Sequence, residues 1–116
     1  MNTAKALAMI QIEREYQDEK WGFNPHTHEE WAVIALEEAG EVARAILNLH
    51  TSPATQVTKT ALLRELVQHA AVLTAWIEDY LSATPDAEVD SIIEERKSKT
   101  AAMINHRIGR SVIDKA

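Results

Sequence analysis

Five polar side chains of this 116-residue chain sit where helical spacing would let them act together. Glu37, Glu38 and Glu41 interrupt the amphipathic stretch ALEEAGEVARAIL at residues 35–47. Glu65 and Gln68 interrupt ALLRELVQHAAVLTAWIEDYL at residues 61–81. Glu38 with Glu41, and Glu65 with Gln68, are i, i+3 pairs, so each pair shares a helix face. Projected at about 100° per residue, Glu38 falls about 20° from Trp31. It sits inside a stripe of Trp31, Ala35, Val42, Ala45 and Leu49, with Ile34 and Ile46 flanking. Glu41 lies at the edge of that stripe and Glu37 farther out. A carboxylate in an apolar stripe is costly unless something pairs with it. Two helices packed antiparallel would bring both pairs into one carboxylate cluster, which repels itself unless divalent cations neutralise it. An all-oxygen donor set without cysteine favours Mg²⁺ or Mn²⁺ over zinc. Di-iron bundles use Glu-x-x-His pairs; none of the five histidines here has a glutamate three residues before it.

The elements that must position these groups read as four helices without strands, an all-α fold. The first spans about Thr3 to Lys20, with Met9, Ile12 and Tyr16 on one line. It stops at WGFNP, where Gly22 suits a helix end and Pro25 discourages a helical Asn24. The second opens at THEE as a capping box, Thr27 to Glu30, and ends near His50 at the turn-like TSP. The third runs from about Val57 to Ser82 and is apolar on nearly all sides, the pattern of a core or intersubunit helix. The fourth opens with Thr84 as N-cap and Pro85 at the first helical position. It either breaks near Ser98 or continues past it, and Gly109 suits another end. A compact four-helix domain over residues 1–97 and a basic helical extension over 98–116 follow from this reading.

Composition narrows the classes further. Without cysteine there is no disulfide framework, thiolate metal site or thiol nucleophile. No apolar run is long enough to span a membrane, and the N-terminal residues meet charge too early for a secretory signal. A cytoplasmic protein is expected. The net charge of -6 divides into -11 over residues 1–95 and +5 over residues 96–116. Such an acidic body disfavours direct nucleic-acid binding, and a phosphate ligand would need metal ions between itself and the protein.

EEAGE followed by RELVQ, with 23 residues between Glu41 and Glu65, resembles the Glu-x-x-Glu … Glu-x-x-Asp pattern of the MazG-like nucleoside triphosphate pyrophosphohydrolases. EREYQDEKWG upstream and AAVLTAWIE downstream are similar to segments of the small phage and bacterial members, and the likeness covers roughly residues 8–82. It implies a compact helical bundle that forms a homodimer or a dimer of dimers. It also implies Mg²⁺-dependent hydrolysis of (deoxy)nucleoside triphosphates between the α and β phosphates, giving a monophosphate and pyrophosphate.

Carried over residue by residue, Glu38, Glu41 and Glu65 would be metal ligands. Gln68 stands where the family pattern has Asp, offering a carbonyl oxygen without charge. Glu37 or Glu41 would accept the proton of the attacking water. Arg14 and Lys20 are candidates for phosphate oxygens, Trp21 for stacking on a base, and Gln17 and Asn24 for reading base edges. Each also has an ordinary role as a surface charge or core aromatic. Two other readings stand beside the enzyme: a metal- and nucleotide-binding regulatory relative that turns over weakly because of Gln68, and a purely structural helical bundle.

Overall fold

The computed structural model describes residues 1–22, 24–51 and 56–115, with the backbone alone at residues 56 and 111–115. Ser52 and Pro53, where the turn after the second helix is expected, lie outside the described residues. Among the described residues all regular structure is helical: α1 (Thr3–Trp21), α2 (His28–Thr51), α3 (Gln56–Leu81) and α4 (Asp86–Lys115). The chain divides into two compact units, Met1–Tyr80 and Leu81–Ala116.

In the first unit, helix boundaries follow local chemistry. Gly22 ends α1 at φ 71°, a left-handed conformation open to a residue without Cβ, and its N–H donates to the Asp18 carbonyl at 2.8 Å. At the start of α2 the expected capping box forms. The Glu30 N–H donates to Thr27 Oγ1 at 3.1 Å, and the Thr27 N–H donates to Glu30 Oε1 at 3.1 Å. These bonds hold the Glu30 carboxyl below its ordinary range, the backbone N–H of Thr27 being the main cause.

Trp31 on α2 and Val72 and Ala75 on α3 form the buried cluster, with Ile34, Ala35 and Trp76 packed against it. Ala71 is fully enclosed, at 0% exposure. Ala75, at 8% exposure, is a second small residue buried on α3. The outer side of α3 keeps Leu63, Leu66, Leu73 and Ile77 exposed, so its apolarity does extend beyond the face that covers the core.

One expected face is wrong. Ile12 and Tyr16 do not form a packing line on α1; they are 65% and 58% exposed. The half-buried residues are Met9, Ile10, Glu13, Arg14 and Gln17. A mostly polar face therefore turns inward, because its partners on α2 and α3 are themselves charged.

In the second unit, the carbonyl of Pro85 accepts from the N–H groups of Glu88 and Val89 at 3.0 and 3.3 Å. Pro85 thus takes the cap position expected of Thr84, and α4 begins one residue later. The helix passes through Ser98 and Gly109 without interruption. A helical glycine costs only about 1 kcal/mol, and among the described residues only Gly22 has positive φ.

Two stability measurements check this account. Ala71→Leu overpacks a fully enclosed position and lowers stability by about 1–3 kcal/mol in chemical denaturation. For the cap, a depressed carboxyl contributes stability present above the ordinary glutamate range and lost as pH falls through its lowered folded value. Glu30→Gln therefore flattens the dependence of Tm on pH below about 4.3.

Candidate functional site

The inward polar face of α1 meets α3 through Arg14, whose side chain is only 13% exposed. Its guanidinium forks onto Glu78, with Nε to Oε1 at 3.4 Å and Nη2 to Oε2 at 2.8 Å. Nη2 also reaches Asp18 Oδ1 at 2.9 Å, and Nη1 donates to Gln17 Oε1 at 3.0 Å. The hydrogen bond to Glu78 is the chief reason that the guanidinium pKa is raised. Every arm of this cation is committed to protein oxygen.

A second junction ties α2 and its leading loop to α3. Asp79 Oδ2 accepts from Trp31 Nε1 at 2.8 Å and from the His26 N–H at 3.2 Å, which lowers the Asp79 pKa, the indole bond being the larger cause. The His26 ring stands edge-on to Trp31 with centroids 4.6 Å apart. Trp76 Nε1 donates to His28 Nδ1 at 3.0 Å. Both histidines belong to the entry of α2, as expected. Trp31 combines packing with orienting Asp79.

Glu38 is the anomalous group. It lies on the inward face of α2, half-buried, and its Oε2 is a buried oxygen without a hydrogen-bond partner. Its pKa is raised, first by desolvation, then by the charges of Glu65 and Glu41 and, more weakly, Glu13; His69 opposes them. Glu65 and Gln68 are half-buried on the inward side of α3, whereas Glu37 and Glu41 are exposed. An orphaned carboxylate oxygen among further carboxylates has the donor chemistry of a hard divalent-cation site. Among the described residues, however, no three His, Asp or Glu side chains are gathered closely enough to hold an ion. The donor set suits Mg²⁺, but its oxygens stand apart.

Glu38 opens into a cleft of about 590 Å³, within the range of small-molecule sites. Of the predicted substrate contacts, Arg14, Gln17, Trp21 and Asn24 line it. Trp21 is 68% exposed, so the alternative of a core aromatic is excluded. Lys20 is not in the lining; its ammonium lies over the rings of Trp21 and Tyr16, at 4.9 and 5.8 Å. Glu37, Glu41, Glu65 and Gln68 also lie outside the lining.

The sequence reading missed Asp18, Glu78 and Asp79, which line the cleft, and Glu13, whose charge reaches Glu38. Asp79 could have been found, since it falls within about 40° of Glu65 on a helical projection. Glu13 and Asp18 carried no such signal, because the inward face of α1 could not be told from α1 alone. Compared with known proteins, the chain matches no family model, no curated protein and no solved structure.

The strain at Glu38 has a thermodynamic signature. A carboxyl with a raised folded pKa contributes stability present below the ordinary glutamate range and lost as pH rises through the folded value. Glu38→Gln removes that loss and the repulsion from Glu65 and Glu41. Thermal unfolding at pH 7 in EDTA should show Tm higher than wild type by about 2–4 °C, with the gap closing toward pH 4. A lower Tm at pH 7 would contradict this account.

Proposed function

We propose that this chain is a MazG-like, Mg²⁺-dependent nucleoside triphosphate pyrophosphohydrolase, acting on (deoxy)nucleoside triphosphates between the α and β phosphates. The observation that carries the reading is the unpartnered Oε2 of Glu38, on a residue that opens into the cleft and feels the charges of the two other acids of the family pattern. Glu38, Glu41 and Glu65, with the carbonyl oxygen of Gln68, would hold the ion. When bound, Mg²⁺ neutralises triphosphate charge and makes an associated water more acidic.

The protein's own groups do the rest. A carboxylate oxygen of Glu41, one turn from Glu38, takes the proton of the attacking water. Glu37 is left a surface acid, because it is exposed and no interaction links it to Glu38. Arg14 does not meet phosphate; held by Glu78 and Asp18, it fixes the wall and orients Gln17. Trp21 and Asn24 contact the nucleoside, Trp21 by stacking. The exposed Leu63, Leu66, Leu73 and Ile77 on α3 support assembly as a homodimer or dimer of dimers, and a cytoplasmic location belongs to the same proposal.

Gln68 favours a second reading, a metal- and nucleotide-binding relative with weak turnover. It lies on the inward side of α3 with Glu65 and adds an oxygen but no charge to the donor set. Pyrophosphate release from the four dNTPs decides between these. The enzyme reading expects turnover with Mg²⁺, none in EDTA, and a fall of at least about 100-fold in Glu38→Gln. Nucleotide binding without turnover, together with a large gain in Gln68→Asp, would select the second reading. Failure to bind Mg²⁺ or nucleotide at all would sink both.

A further inference from the structure

Helix α4 carries its charge in two blocks. Residues 86–95 contain Asp86, Glu88, Asp90, Glu94 and Glu95 and no basic residue. Residues 96–110 contain Arg96, Lys97, Lys99, Arg107 and Arg110 and no acid. The helix dipole favours acids at the N-terminus and bases at the C-terminus, but only within the first and last turns. Blocks running along the whole helix exceed that explanation. Within the helix, Glu94 pairs with Lys97 at 3.6 Å and Glu95 with Lys99 at 2.9 Å. Asp86, Glu88, Asp90, Arg107 and Arg110, toward the two ends, make no ion pair among the described residues.

An apolar stripe has the same two-block arrangement. Val89, Ile92 and Ile93 form one cluster, and Met103, Ile104 and Ile108 the other, with Arg96 and Thr100 between them. Ile92, Met103 and Ile108 are 64%, 74% and 55% exposed. A single helix cannot bury its own stripe, and among its described residues the unit Leu81–Ala116 contains no second complete helix.

We infer that α4 pairs antiparallel with α4 of a second copy of this chain. The occupant is identified by charge. A register that sets Ile92 opposite Ile104 also sets Ile93 opposite Met103 and Asp86 opposite Arg110, and it brings Asp90 beside Arg107. Asp86 and Asp90, near the start of the helix, then lie along Arg110 and Arg107 of the second copy, and Ile92 and Ile93 meet its Ile104 and Met103. Parallel pairing would stack acid on acid and base on base, which like-charge repulsion disfavours. The pairing involves α4 alone and stands independently of the activity proposed for Met1–Tyr80.

The chain has no cysteine, so single-cysteine variants of the full-length protein give position-specific crosslinks. Mixing Ile92→Cys chains with Ile104→Cys chains and adding a short bis-maleimide should give a crosslinked dimer. Ile92→Cys alone should not crosslink, because its two copies lie about 18 Å apart in this register. Adding Arg107→Glu to both chains should lower the mixed yield about fivefold, and Asp90→Arg in addition should restore it. Self-crosslinking of Ile92→Cys as efficient as the mixed pair would mean parallel pairing and overturn the inference. So would the absence of any crosslink, or a yield unmoved by Arg107→Glu.

Discussion

One carboxylate placed in an apolar stripe governs the helical unit Met1–Tyr80. Glu38 lies on the face of α2 that also carries Trp31, which is buried against Val72 and Ala75 of α3, so the packing that forms the core also draws Glu38 inward. An acceptor left unsatisfied in such a place costs about 1–3 kcal/mol. Removing it from the interior would require turning α2, which would expose Trp31. The core and the strained carboxylate are consequences of one helix orientation.

The rest of the polar architecture accommodates that choice. With Glu38 under the charges of Glu65 and Glu41, the neighbouring face of α1 is polar, bringing in Glu13, Arg14 and Gln17. Arg14 is then absorbed by Glu78 and Asp18 and offers no charge to Glu38. The cleft carries the carboxylates of Asp18, Glu38, Glu78 and Asp79 against that single guanidinium. Such a wall repels free anions and attracts cations, which is the electrostatic ground for the metal-nucleotide ligand proposed above.

Legibility in the sequence differed from helix to helix for identifiable reasons. On α2 the period of apolar residues and the Thr27–Glu30 box are both local signals, and both hold in the structure. On α3 the same period placed Glu65 and Gln68 on the inner side with Val72. On α1 the period pointed to Ile12 and Tyr16, which are exposed, because a face that packs against charged partners need not be the apolar one. On α4, Ser98 and Gly109 looked like stops, yet neither outweighs the continuous hydrogen bonding of the surrounding helix.

By itself the sequence determined the helices, most of their termini and the inward direction of Glu38, since backbone hydrogen bonding and side-chain periodicity operate within a few residues. Only the tertiary structure decided that Arg14 is spent on Glu78 rather than left free, that Asp79 is held by Trp31 and His26, and that Trp21 borders a cleft. Those outcomes join groups 48 to 64 residues apart, across helices whose relative rotation no local pattern specifies. Hydrogen bonding and ion pairing at that range depend on where another helix sets its donors and acceptors, which becomes defined only once the helices have packed.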